Sequence, residues 1–250
     1  MTSSSLLLLI ILFFVTSAIG VVTGSNSLIT VPVMFQFGIE PKVAVATNMF
    51  GLTFMAIGAT IPFLRQGAID KRKVSPLIVL TLIGSAIGAG LVGSISDRTM
   101  PIIVSVSMIV VTIFTFIKPD AGVAGTKTVS RRFLIITYVL TFLLGIYGGL
   151  YSGGYVTMLT AALVAFFGMT FTESIASTKL VNVFSSSIAT VIFMWQGLVD
   201  YKLGIILAVT MFIAAYVGAK TVTRLNDLWL RRIFLLTVLI LALKTIFDFI

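Results

Sequence analysis

The chain has 250 residues, 58% of them hydrophobic and 10% charged, and a mean hydropathy of +1.17. It could not offer water an ordinary solvated surface, and the absence of cysteine and histidine excludes disulfides, thiolate metal sites and the commonest general base. The formal net charge of +9 does not signal nucleic acid, because the basic residues sit in the polar breaks between apolar runs, where membrane orientation requires them.

Apolar runs recur from end to end, each closed by a short polar or Gly/Pro break, and they predict an all-α polytopic membrane protein. In the first part of the chain they cover residues 5–20, 25–37, 41–64, 74–95 and 100–117. The first is not a complete secretory signal: no basic residue precedes it, and Ser17-Ala18-Ile19-Gly20 leads straight into the next segment. The second, about 13 residues at 1.5 Å each, reaches only roughly 20 Å of the about 30 Å of hydrocarbon.

A stretch from Gly24 to Asp120 returns 130 residues later without a gap. Gln66-Gly67-Ala68-Ile69-Asp70 comes back as Gln196-Gly197-Leu198-Val199-Asp200, and the same shift pairs Gly24 with Gly154, Gly38 with Gly168 and Ala59-Thr60 with Ala189-Thr190. It predicts counterpart segments at 133–148, 155–167, 171–195, 203–222 and 229–249. The expected organisation is a first transmembrane repeat over 1–120, a basic cytoplasmic loop over 121–132 and a second repeat over 133–250, about ten segments in all. Duplication of this kind is typical of transporters whose site lies between the halves.

Charge sets the parity. With five passes per unit, twelve basic residues between Arg65 and Arg232 fall on one side and only Lys42, Arg98 and Lys202 on the other. With four passes the best split is nine against six. The positive-inside rule therefore prefers two inverted five-segment units with both termini outside. Segments one and two of each unit either both span or dip in and return as a re-entrant hairpin, which gives the same parity.

The Gly-rich break Gly20-Val21-Val22-Thr23-Gly24, Pro32 in a short helix, Ala46-Thr47-Asn48 in the next and the Gln-Gly-x-x-Asp corner resemble the sulfite exporter TauE/SafE family. Gly148 to Gly154, Ala176 to Asn182 and Gly197 to Asp200 look like that family's second-half motifs, so the resemblance covers essentially the whole chain. It implies transport, across a bacterial or archaeal inner membrane, of a small anion such as sulfite, thiosulfate or an organosulfonate.

The residues give a site of their own. Gly24-Ser25-Asn26-Ser27 opens the short second segment, and Ser152-Gly153-Gly154-Tyr155 opens its counterpart. Helices starting inside the membrane leave amide N–H groups that favour an anion, although the same glycines would also allow tight helix packing. Lys179 lies about two turns inside an apolar helix, where an unpaired ammonium costs several kcal/mol. It either meets an anionic substrate, pairs with a carboxylate from another helix, or snorkels. Asn182 shares its helix, and Thr47, Asn48, Ser177 and Thr178 are neutral donors able to replace part of an oxyanion's hydration. Glu173 and Glu40 flank the long third segments and are candidates for coupling to a proton or another ion, while Asp70 and Asp200 end equivalent corners, as turn organisers or gates. No cofactor and no metal is called for. The expected partners are the small anion and the lipid bilayer, with the oligomeric state open.

The expected function is a secondary carrier, an exporter, working by alternating access. An anion channel would instead need a continuous polar pore. An intramembrane enzyme lacks a catalytic set, since no two carboxylates face each other in mid-helix.

Overall fold

Apolar side chains fill most of the interior, with buried Ser, Thr and Asn among them, and apolar side chains also cover the outward faces. In the computed structural model, which describes residues 3–24, 26–117, 130–224 and 232, the described residues form nine helices and no strand. They are α1 (Ser3–Thr23), α2 (Ser27–Gln36), α3 (Pro41–Arg65), α4 (Lys71–Val92), α5 (Thr99–Ile117), α6 (Arg131–Leu150), α7 (Tyr155–Phe167), α8 (Phe171–Trp195) and α9 (Tyr201–Val222). Six of them, α1, α3, α4, α6, α8 and α9, are long and apolar enough to cross a bilayer. The expected segment 229–249 lies outside the described residues, as do Ser25, the inter-repeat loop over 121–129 and Asp227.

Local chemistry fixes the helix ends. Pro41 opens α3, where its missing N–H costs nothing. Asp70 caps α4 by accepting from the amides of Arg72 and Lys73 at 3.0 and 3.4 Å, and Asp200 caps α9 by accepting from that of Leu203 at 3.1 Å. Thr170 and Glu173 form a reciprocal capping box at the start of α8.

The 130-residue shift reappears in these bounds. Both α3 and α8 have 25 residues, both α4 and α9 have 22, and each pair starts and stops in register. Positive φ occurs at Gly24, Gly38 and Gly67 and again at Gly154, Gly168 and Gly197. With 10 and 13 residues, α2 and α7 are too short to span.

The helices α3 and α8 are the most buried of the spanning set and lie against each other at the centre. Around them α9 packs on α3 and α1, and α4 packs on α8 and α6, so each unit's fourth helix lies on the other unit's first and third. Contacts along α3 and α9 climb together: Thr47 meets Asp200, Gly51 meets Met211, Gly58 meets Phe212 and Gln66 meets Thr223. Those of α4 and α8 also climb together, from Ser85 with Ser185 to Ala89 with Gln196. Both pairs therefore run parallel.

Outward faces are apolar. Val79, Ile83, Ile87 and Leu91 form an exposed stripe on α4, and Val209, Ile213 and Val217 repeat it on α9. Such stripes suit hydrocarbon rather than water. Small residues seat the helices: Gly84, Gly88, Gly145 and Gly149 let α4 and α6 approach backbone to backbone, and a Cβ on Gly88 would collide with the carbonyl of Ile146. Gly88→Leu is expected to destabilise the protein by roughly 1–3 kcal/mol, whereas Gly90→Leu, where a Cβ would meet nothing, should change little. Thermal denaturation of the two variants in detergent measures the contrast.

Candidate functional site

The chain breaks between α1 and α2 and between α6 and α7 meet inside the protein. At the first, Gly24 has φ +68° and turns the chain sharply, and a Cβ there would stand 2.8 Å from the Thr157 amide nitrogen and from Val156. Only glycine allows this turn and this approach together. Thr157 at the start of α7 then donates from Oγ1 to the carbonyl of Thr23 at 2.6 Å.

Ser27, the first residue of α2, ties the two breaks together. Its Oγ lies 2.8 Å from Ser152 Oγ and accepts from Asn48 Nδ2 at 2.8 Å, while its carbonyl accepts from the Tyr151 hydroxyl at 2.9 Å. Asn48 Oδ1 in turn accepts from Thr30 Oγ1 at 2.8 Å. Three elements are thus joined by buried side-chain hydrogen bonds, each worth more here because water cannot compete.

Lys179 enters the same region from α8. Its side chain is 3% exposed, makes no ion pair among the described residues, and donates from Nζ to the Gly20 carbonyl at 2.8 Å. That carbonyl also accepts from the Gly24 amide at 2.9 Å. Among the described residues the ammonium meets no carboxylate and points inward onto backbone.

These groups surround a small cavity with room for about one water. It is lined by Gly20, Gly24, Asn26, Ser27, Leu52, Met55, Ala56, Ser152, Val156, Lys179 and Asn182, with no carboxylate among them. The 130-residue shift pairs Asn26 with Val156 and Leu52 with Asn182, so equivalent positions from both units face one space. In each pair one unit supplies an amide and the other an apolar side chain. The cavity straddles the relation between the units yet is chemically lopsided.

Of the residues singled out by sequence, Lys179, Asn182, Gly24 and Asn26 come together on the cavity. Asn26 donates from Nδ2 to Ser17 Oγ at 3.2 Å, and its Oδ1 is buried without a partner. Asn48 stands one layer behind, holding Ser27. Thr178 Oγ1 donates to the Ile175 carbonyl at 3.0 Å, with Thr160 Oγ1 also at 3.0 Å. Ser177 Oγ is buried and unpartnered. Thr47 Oγ1 accepts from the Asp200 amide at 3.0 Å, at the start of α9. Gly153 gives its carbonyl to the Tyr147 hydroxyl, and Gly154 has φ +78° before α7. Ser25 lies outside the described residues. Glu40, Glu173, Asp70 and Asp200 are exposed at helix starts, away from the cavity lining. Among the described residues no group of three or more acidic side chains could hold a metal.

Ser27 and Ser152 were expected only as openers of the short helices, and Gly20 and Tyr151 were not expected at the site. The shift held a signal for the first: it pairs Ser27 with Thr157, and these two hydroxyls each bridge the units.

The pattern that defines the sulfite exporter TauE/SafE family matches residues 8–245. The chain belongs to that family. It is 25% identical to the "Probable membrane transporter protein" of Haemophilus influenzae over 94% of this chain and 92% of that one. It is also 25% identical to "Probable membrane transporter protein YfcA" of Escherichia coli K12, over 94% and 88%. With "Probable membrane transporter protein YdhB" of Bacillus subtilis the identity is again 25%, over 84% and 87%. No solved structure matches. A multi-pass membrane transporter is what the family and the six apolar helices give together.

Gly24 and Gly67 separate the two demands placed on glycine. Gly67→Ala meets only the positive-φ penalty of roughly 1–2 kcal/mol, while Gly24→Ala adds an overlap worth roughly 1–3 kcal/mol. Thermal melts are expected to rank Gly24→Ala well below Gly67→Ala.

Proposed function

We propose that this family member is a secondary carrier that exports a small sulfur-containing anion, such as sulfite, thiosulfate or an organosulfonate, by alternating access between two inverted repeats. The observation that carries the reading is the Lys179 ammonium, buried beside the cavity with only a backbone carbonyl as partner among the described residues. A buried charge without a counter-charge is costly, and an anion entering the cavity would supply the missing partner. Asn182, Asn26, Ser27 and Ser152 add neutral donors around it. Neutral donors hold an oxyanion without trapping it.

Inversion draws support from the packing directions. Consecutive spanning helices reverse direction across a membrane, so α4 opposes α3 and α9 opposes α8. Because α3 runs parallel with α9, the equivalent helices α4 and α9 then point opposite ways. On this reading the units 1–120 and 133–250, joined by the basic loop over 121–132, sit in an inner membrane with both termini outside. The cavity, with room for about one water, is not the continuous polar path that a channel would need.

Lys179→Met in proteoliposomes is expected to weaken anion binding by roughly 10- to 150-fold, the factor implied by a charged hydrogen bond of about 1.5–3 kcal/mol. The helix content by circular dichroism should stay unchanged. Full transport by this variant would remove Lys179 from the site. Thermal shifts of the purified protein against sulfite, thiosulfate, sulfoacetate, taurine, sulfate and simple carboxylates identify the cargo, because a ligand that binds the folded state stabilises it by mass action.

A further inference from the structure

The two Gln-Gly-x-x-Asp corners make equivalent contacts that the cavity does not use. Gln66, at the end of α3, donates from Nε2 to the carbonyl of Thr223, the residue that closes α9, at 3.2 Å. Gln196, at the end of α8, donates from Nε2 to the carbonyls of Ala89 and Gly90 in the last turn of α4, at 3.3 and 3.4 Å. The last carbonyls of a helix have no partner within it. Each corner glutamine therefore caps the C-terminal end of the fourth helix of the other unit.

We infer that Gln66 and Gln196 are two latches between the units, one at each membrane face, and that each must release for the cavity to open on its own side. The inference rests on the transport reading and on the inverted arrangement above, which puts the two corners on opposite faces. In this structure both contacts are made.

The latches are unequal. At the Gln196 corner a second bond joins the units, from the Asp200 amide to Thr47 Oγ1 at 3.0 Å. The shift pairs Thr47 with Ser177 and Asp200 with Asp70, but Ser177 Oγ has no partner. Gln196 is also half-buried, whereas Gln66 is exposed and its bond competes with water. The Gln66 face is thus held by the weaker latch and is the easier one to open.

The chain has no cysteine, so a single Ala56→Cys in the cavity lining reports access from either side. Gln66→Met and Gln196→Met keep side-chain length and remove the donor. In oriented vesicles, with a membrane-impermeant maleimide on one side at a time, Gln66→Met is expected to raise labelling from one face. Gln196→Met should raise it from the opposite face. Thr47→Val, which removes the second bond, should act in the same direction as Gln196→Met, and stands in for it if that variant fails to insert. The larger rise is expected for Gln196→Met combined with Thr47→Val, relative to either alone. Labelling that rises from the same face for both glutamine variants, or from neither, overturns the latches, since a merely stabilising contact would not give opposite sidedness. Labelling needs no substrate. Absence of anion uptake by the unmodified protein would sink the transport reading while leaving the latch result standing, and the reverse holds as well.

Discussion

Inside hydrocarbon a backbone N–H or C=O that leaves its helix has no water to turn to, and every break in a spanning helix must be satisfied by other parts of the protein. Two breaks in this chain, after α1 and after α6, are handled by bringing them to the same place. Tyr151, Thr157 and Lys179 donate to carbonyls of the first break, and Ser27 joins it to Ser152 of the second. The rest of the architecture follows from that knot. The short helices α2 and α7 begin there, the central helices α3 and α8 supply Asn48 and Lys179 to it, and the cavity is the space left between.

Lys179 shows why structure and function are hard to separate at such a point. Its ammonium satisfies the Gly20 carbonyl, which places it in the structural knot, and it also faces the cavity as its one positive charge. A salt bridge to a carboxylate would hold the charge more firmly and neutralise it. The neutral, lopsided ring of Asn26, Asn182, Ser27 and Ser152 has the same character: hydrogen-bonding capacity without fixed opposing charge.

Outside the knot the interfaces are of two kinds. Glycines seat α4 against α6 and α9 against α1 and α3 at close approach. The corner glutamines and Thr47 join the units by single hydrogen bonds near the membrane faces, where water can replace what is broken. Both kinds of contact join helices of different units, α3 with α9 and α4 with α6 and α8.

Much of this was legible in the sequence because membrane helices announce themselves through continuous hydropathy and because the chain states its pattern twice. The segments expected at 41–64 and 171–195 became α3 and α8, the shift of 130 residues fixed the register of α3 with α8 and α4 with α9, and Lys179 stood out as a charge in an apolar run. The capping roles of Asp70 and Asp200 were within reach for the same local reason. What the sequence could not say is which polar side chains share a partner. Thr47 and Asn48 are neighbours in sequence, yet one turns to the Asp200 amide and the other to Ser27. Gly20, Ser27 and the neighbours Tyr151 and Ser152 lie on three separate stretches of chain, and only packing of the two units brings them together. Hydropathy and local capping are properties of short windows and survive in a string of letters. Hydrogen bonds across more than a hundred residues depend on how helices cross, and that is decided by tertiary structure alone.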